Sequence, residues 1–503
     1  MDVNLESAPS ELKKTSRCFL GQRHIVVIIG FFNTFLIQSN RLVLGVGIAA
    51  MEKHKQANET SERISSDFSC PLPSLPAITV AVSNLQGEFD WSAELQGYVL
   101  AAGFLGYLIT QSPAGWLADS VGSKPLLVFS NCLTGLFVII SPLAARWHVY
   151  ALMAVQFLRG ASQGITNPAI FKMLSHWIPR TERGTLNGIS VCGFPVGIAI
   201  GGMVTGLLSD IPGLGWPSAF YMWGTVTVLL AIVTHFIYYE HPVINPWITD
   251  EELKFITNGL ETKVPQKPPP TPWKKIFASV PVYAYFYGLF GDCWGIAYFL
   301  TVQPTYMGTM LHFSINENGV TSCLPVLLTA LSGVLASIIS HFVSKKNLIS
   351  LNKLRKTTTS ISAFGFSLCM AGILLAGCDV TINVLCFSIS LFFKGCALAG
   401  IVIAGVDMAP AFAGTVCGVG STVAAIGSFL VPVTTGLLTT HETLSEWRKV
   451  FWLNLGVVGS SGIVYILFGS AEVQPWNYSV DEEPTEAPNE KRKSTEKCFF
   501  LEI

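Results

Sequence analysis

Residues 381–405 read Thr381-Ile-Asn-Val-Leu-Cys-Phe-Ser-Ile-Ser-Leu-Phe-Phe-Lys394-Gly-Cys-Ala-Leu-Ala-Gly-Ile-Val-Ile-Ala-Gly405. This long apolar stretch holds one charge, and about 20 mostly apolar residues suffice for a helix to cross a bilayer. Runs of the same kind lie near 25–50, 95–117, 125–143, 149–172, 185–208, 217–238, 279–305, 318–343, 358–376, 413–437 and 449–469. They are too long, and alternate too little, for barrel strands. The first run contains Arg41 and lacks a small-residue cleavage site, so it is a retained helix and not a signal peptide. The expected fold class is an all-α membrane protein of twelve transmembrane helices. Composition agrees: 13% of the 503 residues are charged, against roughly a quarter in a soluble domain. A soluble enzyme is excluded. A net charge of -1 with no basic stripe argues against nucleic acid.

Basic residues orient the chain. With the N-terminus inside, 21 of the 31 Lys and Arg fall in inner segments and six in outer ones. The expected layout is a cytoplasmic N-terminus 1–24, a six-helix half 25–238, a cytoplasmic linker 239–278, a second six-helix half 279–469 and a cytoplasmic tail 470–503. The outer loop 51–94 carries a usable glycosylation sequon at Asn58. A second sequon, Asn477-Tyr-Ser479, falls in the inner tail, where it should be silent. That tail reads as polar and disordered from 474 onward. Most of the twelve cysteines, among them Cys132, Cys192, Cys323, Cys369, Cys386, Cys396 and Cys417, sit in apolar runs and read as small hydrophobes. Two six-helix halves rocking about a central cavity are a common transporter plan.

An ionisable side chain at membrane depth costs several kcal/mol on most estimates and is a functional candidate by default. Arg41, Arg159, Asp292 and Lys394 fall in spans 1, 4, 7 and 10, the first helix of each successive set of three. In one water-filled cavity they would form a net positive site suited to an anion, with Arg41, Arg159 and Lys394 as substrate ligands and Asp292 as an ion-coupling candidate. The bland alternatives are snorkelling, capture of backbone carbonyls, and mutual neutralisation of Asp292 and Lys394. Lys172, at the inner end of span 4, reads as a snorkelling side chain. Gly193, Gly197 and Gly201 recur at four-residue steps in span 5 and should let another helix approach closely.

Between spans 2 and 3 stands Gly115-Trp-Leu-Ala-Asp119-Ser-Val-Gly122-Ser-Lys124. It is similar to the G-x-L-a-D-r-x-G-r-k signature of the major facilitator superfamily, with Ser120 in place of the usual Arg. The resemblance implies an inner gate at Gly115, Asp119, Gly122 and Lys124, where an acid at a helix end and a nearby base latch the two halves. Further stretches resemble the family that contains sialin, the vesicular glutamate transporters and the type I sodium-phosphate transporters (solute carrier family 17). They are Phe89-Asp-Trp91 with Gln96-Gly97; Arg159-Gly-Ala-Ser-Gln163-Gly164; Trp177-Ile-Pro-Arg-Thr-Glu182-Arg183; Gly215-Trp216-Pro217; Asp407-Met-Ala-Pro410; and Ala471-Glu472-Val-Gln474-Pro-Trp476. Gln163-Gly164 and Ser344-Lys345-Lys346-Asn347-Leu348 are most similar to the sodium-phosphate and organic-anion branch. Leu100 and Asp292 replace the His and Arg of glutamate carriers.

Arg41 matches the family's span 1 arginine. Gln156 stands where many members have Arg, with Arg159 one turn later. Ala404, Ala411 and His341 replace an Asn, an Arg and an Asp. The resemblance implies a plasma-membrane secondary active transporter, not an enzyme, that moves phosphate, urate or another organic anion by alternating access. Its drive would be sodium, a possible bound ion but with no other cofactor, or the membrane potential. It would act as a monomer whose partners are a small anionic solute and the bilayer. A proton-coupled, sialin-like importer is the nearest alternative and a non-transporting anion sensor a remote one.

Overall fold

The computed structural model describes residues 21–51, 88–89, 91, 93–179, 182–211, 213–259, 271–303, 306–307, 310–311, 315–346, 348–439 and 443–477. Asn58, and with it the sequon of the outer loop, lies outside them.

The first half contains α1 (Gln22–Met51), α2 (Ala93–Val121), α3 (Ser123–Trp147), α4 (Val149–Trp177), α5 (Arg183–Val191), α6 (Gly193–Asp210) and α7 (Gly215–Ile237). The linker holds α8 (Asp250–Gly259) and α9 (Trp273–Phe277). The second half contains α10 (Val280–Thr301), α11 (Ile315–Lys345), α12 (Leu351–Ala376), α13 (Val380–Gly395), α14 (Ile401–Met408), α15 (Ala413–Leu438) and α16 (Leu444–Phe468). Each of the twelve expected spans is thus helical, but two are interrupted. Span 5 breaks at Cys192, just before Pro195, whose ring displaces the helical bond to the carbonyl of residue 191. Span 10 breaks at a 3-10 turn, Cys396–Ala399, between Gly395 and Gly400.

Among the described residues nine segments are long and apolar enough to cross a membrane, with α5–α6 and α13–α14 counting as one each. The three spans that fall short are α2, α4 and α10. They bring polar side chains into the interior, including Gln111, Asp119, Gln156, Arg159, Gln163 and Asp292, all of them buried.

Gly193, Gly197 and Gly201 form one face of α6 against α1. A Cβ at these positions would run into the Phe31 and Phe35 carbonyls and the Ser39 hydroxyl. At Gly197 the obstacle is backbone, which cannot swing aside. Gly197→Leu is therefore expected to cost at least about 1–3 kcal/mol through overpacking. It should appear as a lowered melting temperature of the detergent-purified protein; an unchanged melt would mean the two helices do not meet there.

The linker is fastened to the first half. Glu252 on α8 accepts from the Gln22 and Arg23 backbone N–H groups at 2.9 and 3.1 Å, satisfying free donors at the start of α1. Arg23 also pairs with Glu182 at 2.9 Å. The expectation of a disordered tail from 474 is corrected up to residue 477. Gln474 N–H donates to the Met408 carbonyl at 3.0 Å, and Asn477 Oδ1 accepts from Ala411 N–H at 3.0 Å. Asn477 is buried, so the second sequon is already engaged in the fold.

Cys132, Cys192, Cys293, Cys369, Cys386, Cys396 and Cys417 are free thiols, whereas Cys378, just beyond α12, is disulfide-bonded. Reading the cysteines as hydrophobes does not extend to it.

Candidate functional site: two guanidinium groups and a latched gate

Arg41 on α1 and Arg159 on α4 line one small, partly open cavity with Leu44, Leu100, Phe104 and Gln163. Arg41 is half-buried and Arg159 almost fully buried. The Gln163 Oε1 atom joins them, accepting from Arg41 Nε at 3.3 Å and from Arg159 Nη1 at 3.5 Å. Gln163 Nε2 in turn donates to the Ile37 carbonyl at 2.9 Å, which fixes the orientation of the amide.

Each guanidinium has its own cradle. The Arg41 guanidinium lies 4.0 Å from the Tyr107 ring centroid and 5.7 Å from that of Phe104, a cation–π contact worth about 0.5–2 kcal/mol. Asn167 Nδ2 donates to Tyr107 Oη at 2.7 Å and steadies the ring. Arg41 Nη1 donates to Gln38 Oε1 at 3.3 Å, while Nη2 is buried without a partner. Arg159 Nε donates to Gln156 Oε1 at 2.6 Å and Nη1 to the Asn40 carbonyl at 3.2 Å. Gln156 Nε2 is itself spent on Ser141 Oγ at 2.9 Å. Gln156 is thus the acceptor that holds Arg159 one turn away.

Among the described residues neither guanidinium meets a carboxylate. The two nitrogens on the shared oxygen, at 3.3 and 3.5 Å from it, lie within about 7 Å of each other. At an effective dielectric of 20, unit charges at that spacing repel by about 2 kcal/mol. The cavity therefore holds stored positive potential that an anion would relieve.

Asp292 and Lys394 are not among the residues lining this cavity. Lys394 Nζ donates to Asp292 Oδ1 in a buried ion pair, and the ammonium lies 5.6 Å from the Phe366 ring centroid. The structure pairs Lys394, expected as a substrate ligand, with Asp292, expected as an ion-coupling carboxylate. Each is satisfied by the other, which is the bland alternative weighed from the sequence.

A second polar system lies toward the end of the bundle where the linker crosses. Asp119, at the end of α2, accepts from Gly414 N–H at 3.1 Å, Thr415 N–H at 2.6 Å and Thr415 Oγ1 at 2.6 Å. It thereby caps α15 of the opposite half, where exposed N–H groups and the helix dipole favour an anion. Gly115 lets the backbones touch: a Cβ there would meet the Gly414 carbonyl. Among the described residues the Lys124 side chain makes no contact across the halves. Its ammonium lies 4.6 Å from the Tyr239 ring centroid in its own half.

The base opposite Asp119 is Lys172, at 3.0 Å, whose ammonium also donates to the Ala411 carbonyl across the interface at 2.7 Å. Lys172 is thus a latch member and not a snorkelling side chain. Ala411 contributes only its backbone carbonyl, so this latch needs no side chain at 411. Gly122 adopts φ +104° and opens the turn in which Glu240 accepts from the Ser123 and Lys124 N–H groups at 2.9 and 2.7 Å. Burial alone would raise the Glu240 carboxyl, but the His176 hydrogen bond and these two N–H donors hold it down at about 2.

The same end carries a feature the sequence did not single out. Arg183, opening α5, pairs with Asp407 on α14 at 3.2 Å, and Arg355 on α12 pairs with the other Asp407 oxygen at 2.8 Å. All three side chains are buried, and Arg355 Nη1 also donates to the Ala399 carbonyl in the span 10 break at 2.7 Å. Among the described residues, the hydrogen bonds and ion pairs that join the two halves lie between mid-bundle, at Ser112–Thr422, and this end.

The sequence profile of the Major Facilitator Superfamily matches residues 66–432. Sialin of Homo sapiens is 30% identical over 454 residues, 90% of this chain and 90% of sialin. Sodium-dependent phosphate transport protein 3 of Mus musculus is 27% identical over 476 residues, 94% of this chain and 98% of that protein. Among solved structures, the proton:xylose symporter XylE bound to 6-bromo-6-deoxy-D-glucose aligns with a TM-score of 0.65 at 13% identity. That alignment covers 89% of this chain and 96% of the symporter, a likeness of fold.

Proposed function

The chain belongs to the major facilitator superfamily, in the family of sialin and the sodium-dependent phosphate transporters, and on that footing we propose that it carries a small anion by alternating access. Phosphate, urate and other organic anions are the proposed cargo. The observation that carries the reading is the Arg41–Arg159 pair, two guanidinium groups in one cavity, bridged by a neutral amide. Guanidinium forks suit planar or oxygen-rich anions, and the unpartnered Arg41 Nη2 is a donor waiting for one.

The closed end faces the cytoplasm in this proposal, following the excess of basic residues there. Cys378, bonded near the opposite end, fits an oxidising compartment on that side. The protein acts as a monomer in the plasma membrane, with Asn58 glycosylated outside. The drive is the membrane potential. A sodium ion at Asp292 would have to displace Lys394, and Gln156 and Gln163 provide no titrating group for proton coupling. An interior-negative potential contributes about 2.3 kcal/mol per charge per 100 mV toward anion export.

The test is uptake of labelled phosphate and urate into proteoliposomes, with sodium, proton and potassium-diffusion potentials imposed one at a time. Saturable flux that follows voltage and ignores sodium is the expected result. Flux that requires sodium would overturn the drive; anion binding with no flux would make the protein a sensor.

A further inference from the structure

The geometry points to a dianion site: the preferred substrate carries two negative charges at neutral pH, and Gly103 sets that preference by admitting Arg159 to the cavity. This rests on the transport reading of the Arg41–Arg159 pair and goes one step beyond it, from anion to charge class.

Three observations carry the step. The cavity holds two positive side chains and, among the described residues, no carboxylate, so its formal charge is matched by two negative charges and only half matched by one. The element that joins the guanidinium groups is the uncharged Gln163, whose single oxygen serves both. Gln163 therefore holds the two cations together without cancelling either, a costly arrangement in an empty cavity and a favourable one around a doubly charged ligand. The third observation is the notch at Gly103. A Cβ there would lie 2.5 Å from Arg159 Nη2, but 3.5 Å from the nearest backbone atom, the Gln156 carbonyl oxygen. The only group that obstructs a side chain at 103 is the guanidinium itself, which occupies the vacant space.

The neighbouring glycines on this crossing behave differently. A Cβ at Gly106 or Gly160 would strike the backbone of the opposing helix, at the Phe157 and Gly103 carbonyls. Those two glycines bring α2 and α4 together, whereas Gly103 makes room for a charge. Gly103 is thus a positioning residue, and an alanine there should move Arg159 without separating the helices.

The experiment compares charge-matched pairs on the full-length protein: sulfate against methanesulfonate, and succinate against its monomethyl ester. Apparent affinity is read from the melting-temperature shift of detergent-purified protein and from competition with flux in proteoliposomes. In the wild type the dianion of each pair should bind about tenfold or more tightly than the monoanion. In Gly103→Ala that ratio should fall toward one, through loss of dianion affinity, while the melting temperature of the unliganded protein stays within a few degrees. Gln163→Glu, which places a carboxylate between the guanidinium groups, is the second variant and should reverse the preference toward the monoanion. Equal affinities in the wild type, or an unchanged ratio in both variants, would overturn the inference. Failure of every anion, single or double, to bind or to flow would sink the transport reading as well, so the two failures are distinguishable.

Discussion

Arg41→Ala is expected to abolish saturable anion uptake while leaving the empty protein as stable as the wild type, or more so. The first half of this follows from what Arg41 presents to the cavity. It is the half-buried member of the pair, with Nη2 unpartnered and its plane supported by Tyr107. Truncating one partner of a desolvated, hydrogen-bonded charge pair costs about 2–5 kcal/mol, so kcat/KM should fall by at least roughly 30-fold. The second half follows from repulsion. Removing Arg41 releases Arg159 from a like charge sharing the Gln163 oxygen, and this offsets the lost cation–π contact of similar size.

A residue kept for packing would show the opposite pattern, with lost stability accompanying lost flux. Arg41→Lys separates charge from shape. It retains a cation but not the planar fork, so uptake should persist at reduced affinity. Wild-type uptake by Arg41→Ala, or a large drop in its melting temperature, would remove Arg41 from the substrate site.

How far the sequence alone carried is clearest at particular residues. The twelve spans were legible because length and apolarity are local properties, and the glycine steps of span 5 because four-residue spacing fixes a helix face. The breaks at Cys192 and Cys396 were not, since apolar runs continue through them and hydropathy is blind to the backbone. Arg41 and Arg159 were legible as rare intramembrane cations, but their convergence on Gln163 is a contact between helices far apart in the chain.

Pair identity was the least legible property. Asp292 and Lys394 were legible both as cavity ligands and as a mutually neutralising pair, and only their proximity decides that they are paired. Lys172 lay close enough to a span end to read as snorkelling, because its partners, Asp119 and Ala411, belong to other helices. Arg183 and Asp407 were legible as members of separate family stretches and Arg355 as an inner basic residue, but nothing in the sequence showed that the two guanidinium groups converge on this carboxylate in span 10.

That carboxylate gives the second large effect. Asp407→Asn should shift the protein toward the state open at the linker end, because it leaves two buried guanidinium groups facing each other. Breaking a buried pair by removing one partner costs about 3–5 kcal/mol, here charged to the closed state in which Arg183 reaches across from α5. At 1.4 kcal/mol per decade, the closed form would lose about two to three and a half orders of magnitude in population relative to the open one.

Arg183→Met is the cleaner companion. It removes the link between halves but leaves Arg355 and Asp407 paired at 2.8 Å within the second half, so no charge is stranded. Its effect should be smaller, since the Asp119 cap on α15 and the Lys172 bridge still hold. Cys192 supplies a native reporter. It is buried at the span 5 break, with Sγ 3.9 Å from the Ala330 carbonyl of the opposite half, and separation of the halves would expose it. Maleimide labelling of the Cys192 peptide, followed by mass spectrometry, should be fastest in Asp407→Asn, intermediate in Arg183→Met and slowest in the wild type. If labelling rates are equal while both variants melt cooperatively, the triad is structural and the Asp119 cap alone closes this end. The predicted order is informative because the two substitutions delete opposite partners of one ion pair, and only a shared acceptor makes losing the acid worse than losing the base.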